Sequence, residues 1–509
     1  MKQTKLFRAL ILVLAMLLVF PTLSACKKED KTPSTGANGS QETADPRFEA
    51  DDLPADLSFN DAEVRWMICS SETDYNMFHA DESTVDYIEG ELYKTATQVE
   101  SRLNISLAID HRSTTWGTRD SDYSIVCYEI INGVCEYDMI TSATTLPLYS
   151  GQSEMVFKDI SQLNYINLEK PWWTQNLNSV LGDEIYFVSG DGYLGSVKNL
   201  GCVFFNQNFL DAHGVTENMY ELAENGEWTL EKMELLTKDM YISADGTDSQ
   251  KGGDSYGVTF GDGNKYTGLI ESLGIDFYTR NSDNCYTYAA ASTRVIDIMD
   301  TLRNFNDNNL SVLSCIGIHE TEEYSIRLEG QSRLINRAFS EGRAAFTFSL
   351  FDDAKYLYNP EAFKLGLLPY PKYDVSQEYR TAEAKLVTYI PMTAKNADMS
   401  AAVLEAWSSQ MYRSVIPAYF ESVLQLRYSA DTEMSAMFDM IRESRAFSIS
   451  SLIEDPDLLN IGAWSMKGYM TQSGSYGSKS WNVIATENEL IAMAQLERIG
   501  KVFGFSVDY

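Results

Sequence analysis

Positive charge is scarce in this 509-residue sequence, which has 40 lysines and arginines against 73 aspartates and glutamates. The formal net charge is −33. A surface this acidic repels phosphate backbones and anionic lipid headgroups, because like charges raise the free energy of association. Nucleic acid is therefore excluded as a partner, and direct binding to an anionic lipid surface is not expected.

Histidine is also scarce, and the cysteines form no metal-binding or redox pattern. The four histidines lie far apart in the sequence, and no two cysteines have the CxxC spacing, so no zinc or thioredoxin-like site is predicted. Six cysteines lie in apolar or strand-like contexts, which are typical of buried thiols. A disulfide between Cys127 and Cys135 is the alternative for two of them. These six are Cys69, Cys127, Cys135, Cys202, Cys285 and Cys315.

Motifs for catalysis and cofactor binding are missing as well. The sequence has no GxSxG, so it lacks the nucleophile elbow of one large class of hydrolases. Gly190–Gly195 matches GxGxxG, but residues 196–205 predict a loop and a strand where a pyrophosphate site needs a helix. We therefore predict no catalytic residue, no metal and no cofactor.

The only long apolar run lies at the N-terminus. Leu10–Phe20 contains 11 apolar residues after three cationic ones, which is too short for a spanning helix of about 20 residues. Residues 1–25 are therefore predicted to be a signal peptide. Leu23-Ser24-Ala25-Cys26 resembles the lipidation box of bacterial lipoproteins, which implies acylation of Cys26 and attachment to the outer face of the cytoplasmic membrane. The alternative is an ordinary secretory signal or a short anchor helix.

Residues 26–58 are predicted to form a flexible linker. From Lys27 to about Asp56 the chain is almost entirely polar, so it cannot bury enough apolar surface to offset the entropy lost on ordering. About 450 residues follow, which is too many for one core. Two large lobes on a flexible tether are a natural solution.

The start of the folded part predicts a parallel sheet. The strands Val64–Cys69, Ile105–Ile109 and Tyr137–Ile140 alternate with helical stretches. In open α/β sheets ligands bind at the carboxyl ends of the strands, here the loops after Cys69 and after Ile140. Further strands are predicted at 184–188, 201–205, 344–349 and 386–390, with helices at 293–306 and 334–341.

Aromatic residues are abundant, with 8 tryptophans and 30 tyrosines. Their flat apolar faces suit sugars, whose C–H patches stack on rings while the hydroxyl groups form hydrogen bonds. Most of these rings are nevertheless expected in the core, so the count favours a sugar site without locating it.

An ordered set of segments resembles the bacterial extracellular solute-binding proteins of ABC importers, in the carbohydrate-binding branch that contains maltose-binding protein. The resemblance covers nearly everything after the linker and rests on the order and spacing of these segments. They are 137–140, 159–165, 171–173, 185–187, 203–206 with Gly214, 226–230, 339–346 and 368–373.

The resemblance implies an α/β, two-lobed, type II periplasmic-binding-protein-like fold with a ligand cleft between the lobes. It places lobe 1 at 59–200 plus 370–395 and lobe 2 at 205–365, with the helices of 398–509 packed mainly against lobe 2. It also implies a non-enzymatic, monomeric receptor that delivers a small solute, with a carbohydrate as the expected class, to permease subunits. A peptide or another polar solute, presentation of the ligand to a membrane sensor, and a surface glycosidase stay open as alternatives.

Site residues follow from matching the family's loops onto this chain. Hydrogen bonds to ligand hydroxyls are expected from polar side chains in both lobes, and ring stacking from three aromatic residues. The expected ligand-binding residues are Ser70, Glu72, Thr141, Ser142, Asp191, Phe351, Asp352, Trp464 and Trp481. The Trp-rich stretch of maltose-binding protein has no counterpart around Phe351.

Overall fold

The computed structural model describes residues 49–151, 155–247, 249–260, 265, 267–307, 309–313, 325–327, 334–359, 361–383, 386–421, 432–453, 457–472 and 476–508. The predicted signal peptide, Cys26 and most of the predicted linker lie outside these residues. Within the described ranges, no helix has both the length and the apolar content needed to cross a membrane.

Within the described ranges, the strands form two five-stranded sheets and three small ones. They are β1 (Ala62–Ser70), β2 (Ile105–Ser113), β3 (Met139–Ala143), β4 (Phe187–Val188), β5 (Gly201–Asn206), β6 (Tyr256–Phe260), β7 (Tyr278–Arg280), β8 (Cys285–Tyr288), β9 (Val312–Leu313), β10 (Ser325–Arg327), β11 (Leu334–Asn336), β12 (Ala344–Leu350), β13 (Leu365–Leu368), β14 (Thr381–Ala382), β15 (Leu386–Tyr389), β16 (Arg445–Ala446) and β17 (Ser506–Asp508).

Helices cover the sheets and make up most of the C-terminal part. They are α1 (Glu72–Tyr75), α2 (Tyr87–Leu103), α3 (Arg119–Ile131), α4 (Leu177–Leu181), α5 (Leu194–Lys198), α6 (Gln207–Ala212), α7 (Met219–Glu224), α8 (Leu230–Thr237), α9 (Gly268–Ser272), α10 (Thr293–Asp307), α11 (Arg337–Ser340), α12 (Ala354–Leu357), α13 (Ala397–Gln410), α14 (Ile416–Tyr419), α15 (Thr432–Glu443), α16 (Ile449–Leu452), α17 (Ala463–Met470) and α18 (Trp481–Phe503). The π-helical segment Met411–Val415 joins α13 to α14.

The first large sheet has the strand order β2-β1-β3-β15-β4. β1 pairs in parallel with β2 and β3, as the alternation of predicted strands and helices requires. β15 joins this sheet antiparallel from far along the chain. The connecting helix α2 is bounded by local signals, since Asp86 caps its start through two backbone amides and Asn104 ends it in the left-handed conformation.

The second large sheet has the order β13-β5-β12-β6-β9. Its centre is β12, whose residues from Ala344 to Ser349 are all buried, and Phe348 of β12 stacks on Phe260 of β6 with ring centroids 4.2 Å apart. The chain enters this sheet after α5 and returns to the first sheet at β15. The two sheets therefore form the cores of two lobes, called lobe 1 and lobe 2 below, which the chain crosses between more than once.

Two local expectations are wrong. The predicted helix 334–341 is a strand, β11, followed by the short helix α11, because pairing with β10 outweighs local helix propensity. The predicted loop from Ser196 is helical in α5, where the Ser196 hydroxyl lies within hydrogen-bonding distance of the carbonyls of Gly190 and Tyr193.

The C-terminal helices contact both lobes, which corrects the expectation that they pack mainly against lobe 2. Trp407 of α13 packs edge-on against Trp66 of β1, with ring centroids 5.3 Å apart, and donates a hydrogen bond to the carbonyl of Gly192. Later segments contact lobe 2, where Tyr469 donates to Asp300 at 2.6 Å. The C-terminal part therefore joins the two lobes.

Candidate functional site

The carboxyl ends of three parallel strands meet at one edge of the first sheet. β1 ends at Ser70, β2 at Ser113 and β3 at Ala143, in the register that pairs Ser70 with Ser113. The short strand β4 ends at Val188 on the same edge, because it runs antiparallel to β15. Ligands of open α/β sheets bind at such an edge, so the loops that leave it are the candidate site.

Ser70 is the last residue of β1 and Glu72 is the first residue of α1, so the predicted loop after β1 is reduced to Ser71 between them. Ser70 is buried, its hydroxyl donates to the carbonyl of Ser71 at 3.0 Å, and its own carbonyl accepts a hydrogen bond from Nε2 of His111. Glu72 is exposed, with its carboxylate 3.3 Å from Nδ1 of His111. The ring of His111 stacks on Tyr75 at 4.4 Å. Of the two, only Glu72 offers an accessible polar group.

Thr141 and Ser142 belong to β3 itself, because this strand extends three residues beyond the predicted end at Ile140. Both are fully buried. The Thr141 hydroxyl accepts a hydrogen bond from Nε1 of Trp66 at 2.8 Å and bonds to the hydroxyl of Thr388 at 2.8 Å. These contacts link β1, β3 and β15, so Thr141 holds the sheet together rather than facing a ligand.

The thiol beside this loop is not a nucleophile at neutral pH. Cys69 is buried in β1, and burial raises the pKa of its thiol to about 11. The other thiols that the structure describes, at positions 127, 135, 202 and 285, are also unbridged. The conceivable bridge between positions 127 and 135 is therefore not formed.

Asp191 lies in a buried group of four charged side chains, which we call the buried ion cluster: Asp191, Glu383, Arg442 and Arg445. The Asp191 carboxylate is 2.8 Å from Nη1 of Arg445 and 3.8 Å from Nη1 of Arg442. Glu383 is 3.7 Å from Nε of Arg445 and accepts a hydrogen bond from Thr174. The formal charges cancel, so the predicted ligand-binding carboxylate is neutralised by the protein's own arginines.

Phe351 and Asp352 follow β12 at the end of the central strand of lobe 2. Phe351 is fully buried and stacks on Phe438 at 5.0 Å. The Asp352 carboxylate is buried and lies 3.2 Å from the ammonium groups of Lys198 and Lys355. Lys198 belongs to α5, just before the chain enters lobe 2, so the Asp352 ion pair bridges a crossover to lobe 2.

The two predicted stacking tryptophans differ in their surroundings. Trp481 is fully buried at the start of α18, where its Nε1 donates to the carbonyl of Ala290 and its ring packs on Phe277 and Tyr469. It has no free face for a ligand. Trp464, near the start of α17, is 47% exposed, and its ring lies 6.4 Å from that of Trp116.

Trp116 is the residue that sequence reasoning missed. It lies in the loop after β2, at the carboxyl edge of the first sheet, and is 66% exposed. The guanidinium of Arg119 lies 3.6 Å from the centre of its ring. Its position in a polar loop just after a predicted strand is the sequence feature that could have indicated a ligand-binding role. We call Trp116 and Trp464 the tryptophan pair; its members come from lobe 1 and from the C-terminal part.

The described side chains at this edge of the sheet can bind a ligand, and they form no evident catalytic group. In the part of the chain that the structure describes, no group of three or more histidine, cysteine, aspartate or glutamate residues is placed to hold a metal ion. Exposed aromatic faces and the accessible carboxylate of Glu72 remain. Such groups bind polar molecules that also have apolar faces.

Comparison with solved structures shows the fold. Over 86% of this chain and 98% of the other, it is similar to the sugar-binding protein MalE from Xanthomonas citri, with 12% identity and a TM-score of 0.55. The galacto-N-biose/lacto-N-biose I-binding protein of a Bifidobacterium longum ABC transporter gives 10% identity and a TM-score of 0.53, over 89% and 100%.

A cyclic α-maltosyl-1,6-maltose binding protein from Arthrobacter globiformis gives 12% identity and a TM-score of 0.50, over 85% and 99% of the two chains. No protein-family model and no curated protein matches the sequence. The chain therefore has the α/β two-lobed fold of type II periplasmic binding proteins, as predicted.

Proposed function

We propose that this chain is an extracellular solute-binding protein that captures an oligosaccharide and delivers it to the permease of an ABC importer. The observation that carries the proposal is the tryptophan pair, two exposed indole rings 6.4 Å apart that come from different parts of a binding-protein fold. The structurally similar sugar-binding protein from Xanthomonas citri and galacto-N-biose/lacto-N-biose I-binding protein from Bifidobacterium longum support the same class of ligand.

Stacking on the tryptophan pair explains why a sugar is favoured over a peptide. Pyranose rings have flat C–H faces, and indole rings bind such faces while excluding water. The accessible carboxylate of Glu72 can accept hydrogen bonds from hydroxyl groups, and bonds to ionised acceptors are the stronger ones. The protein would act by binding and release, without catalysis and as a monomer.

We further propose that Cys26 is acylated and anchors the protein outside the cytoplasmic membrane. Ion pairs of residues 49–52 with lobe 1 support the idea that the linker joins the folded part at a fixed place on this lobe. Lys170 bridges Glu49 and Asp52, each at 2.8 Å, and Arg102 pairs with Asp51 at 2.6 Å. The chain before Glu49 would then serve as a spacer, and lobe 2 would have no direct attachment to the anchor.

Titration calorimetry against a panel of maltooligosaccharides, galactosides and short peptides tests the proposal. We expect an oligosaccharide to bind, and Trp116→Ala and Trp464→Ala each to weaken binding by about tenfold or more, since a ring contact contributes roughly 1–2 kcal/mol. Tyr128→Ala, which removes an exposed ring of α3, is the matched control and should bind like the parent.

Three outcomes would contradict the proposal. Peptides could bind while no sugar does, sugar binding could survive the loss of both tryptophans, or the panel could be hydrolysed, which would indicate a surface glycosidase. Labelling of cells with a palmitate analogue tests the anchor separately, since Cys26→Ser should abolish incorporation without changing ligand affinity.

A further inference from the structure

A cavity of about 360 Å³ lies at the amino end of the first sheet. Its walls come from the start of β1, the residues just before β3, and the chain between β15 and α13. None of the residues assigned above to the tryptophan pair or the buried ion cluster lines it. Its charged lining includes Glu63, Arg65, Asp138 and Lys395.

The length of β1 separates this cavity from the candidate oligosaccharide site. β1 runs from Ala62, which lines the cavity, to Ser70 at the carboxyl edge of the sheet. Nine residues at about 3.3 Å per residue place the two ends roughly 26 Å apart. A ligand in the cavity would therefore be a second ligand, distinct from the solute captured between the lobes.

Asp138 is the feature that points to a ligand. Its side chain lines the cavity although the residue is only 9% exposed. One carboxylate oxygen, Oδ2, accepts a hydrogen bond from the backbone amide of Arg65 at 3.0 Å, while no donor to Oδ1 is found among the described residues. Burial raises the pKa of this carboxyl. The second oxygen, Oδ1, is open to the cavity, where a cationic donor would form a charge-assisted hydrogen bond with it.

Among the described residues Asp138 has no direct ion pair, although the charges of Arg65 and Lys395 attract its carboxylate from further away. The guanidinium of Arg65 is engaged elsewhere, by Asp110 at 2.9 Å and by Glu136 at 2.8 Å. Glu63 adds a further negative charge to the same wall and has no ion-pair partner in the described ranges. This side of the cavity therefore has an excess of negative charge that a ligand ammonium group would offset.

The opposite charge is supplied where α13 begins. Lys395 lines the cavity and has no ion-pair partner among the residues that the structure describes. Asn396 follows as the N-cap of α13, a helix of 14 residues whose amino end carries a partial positive charge. Phe59, Tyr137 and Met399 provide apolar surface between the charged groups.

We propose that this cavity binds a small zwitterion, with its ammonium group on Asp138 and its carboxylate near Lys395. A free amino acid with an apolar side chain has both charges and fits the volume. The Asp138 carboxylate, the Lys395 ammonium group and the apolar surface of the cavity match the three parts of such a molecule. The site is independent of oligosaccharide capture.

Titration calorimetry of the full chain with three matched probes tests the proposal. L-leucine carries both charges, 4-methylpentanoate lacks the amine, and 3-methylbutylamine lacks the carboxylate. We expect L-leucine to bind at millimolar concentration or below, and each truncated probe to bind about tenfold more weakly, because a charged hydrogen bond contributes roughly 1.5–3 kcal/mol.

Two variants assign the charges. Asp138→Asn should weaken L-leucine binding by about tenfold or more and leave 4-methylpentanoate unchanged. Lys395→Gln, an exposed position where misfolding is not expected, should weaken L-leucine and leave 3-methylbutylamine unchanged. Asp398→Asn is the control, since Asp398 also lies at the start of α13 but pairs with Asn164 outside the cavity.

The proposal is overturned if L-leucine gives no heat and no thermal shift, or if it binds equally well to the parent, Asp138→Asn and Lys395→Gln proteins. Oligosaccharide affinity should be unchanged in all three variants. Loss of amino acid binding in Trp116→Ala would also overturn it, because the two sites would then be one. Failure of oligosaccharide capture alone leaves these leucine measurements unaffected.

Discussion

The buried ion cluster and the tryptophan pair each contain one residue that follows a strand of the first sheet, Asp191 after β4 and Trp116 after β2, yet they differ in exposure and in pairing. The cluster is closed to solvent, and its two carboxylates and two arginines neutralise each other. The tryptophan pair keeps large parts of both rings exposed. This contrast indicates that the charged residues hold the protein together, while the accessible rings are free to meet a ligand.

The largest expected loss of stability comes from a substitution that disrupts the buried ion cluster. Arg445→Met leaves Asp191 and Glu383 buried with one arginine fewer, so we expect the free energy of unfolding to fall by about 3–5 kcal/mol. Urea denaturation followed by circular dichroism measures this change. Arg498→Met, at an exposed position of α18, is the control and should change stability little. Equal stability of the two variants would show that the cluster is not structural.

Trp481 and Trp464, at the starts of two C-terminal helices, show the same difference between buried and exposed side chains. Trp481→Ala removes a fully buried ring and should lower the free energy of unfolding by about 3–5 kcal/mol, whereas Trp464→Ala should cost less than about 1 kcal/mol. Thermal and urea unfolding of both variants give the comparison. A large loss of stability in Trp464→Ala would mean that its ring packs more firmly than its exposure indicates.

Glu405 shows what happens to a buried carboxylate that lacks a cation. It accepts a hydrogen bond from Trp173 at 3.0 Å, and burial raises its pKa from 4.5 to about 7. Because the folded state holds the proton more tightly than the unfolded state, this group lowers stability as pH rises from about 4.5 to about 7. The loss amounts to roughly 3 kcal/mol at pH 8.

Glu405→Gln should therefore remove this pH dependence. We expect the variant to match the parent near pH 4 and to exceed its stability above pH 7, as measured by urea unfolding across the pH range. Glu487→Gln, at an exposed position of α18, serves as the control and should keep the parent's profile. A parallel pH profile for parent and Glu405→Gln proteins would show that the carboxyl titrates normally.

The smallest expected effect on stability is that of Trp116→Ala. Its ring is 66% exposed and contacts Arg119 at the surface, so its loss should cost less than about 1 kcal/mol of folding free energy. Ligand affinity should nevertheless fall, as stated above. If the melting temperature of Trp116→Ala falls as far as that of Trp481→Ala, the distinction between exposed and buried rings is wrong.

Strand ends and burial explain which site residues were predictable. The loops after the first strands were found because β1 and β3 have strong apolar patterns, but Thr141 and Ser142 lie inside β3, since pairing with β15 extends the strand beyond its apolar run. Asp191 was expected from the match to the family's segment before a crossover, and its arginine partners come from more than 240 residues further along. No local pattern contains that pairing.

The sequence alone determined the excess of negative charge and the absence of familiar catalytic motifs, because composition and short motifs are local properties. The resemblance of its ordered segments to a known family predicted the two-lobed α/β fold, and the signal peptide stays a prediction. The tertiary structure decided which aromatic and charged side chains remain accessible. Trp464 and Trp481 have similar local contexts, and only packing against distant segments buries one and leaves the other beside Trp116. Exposure depends on long-range contacts, which is why the site emerged only from the folded chain.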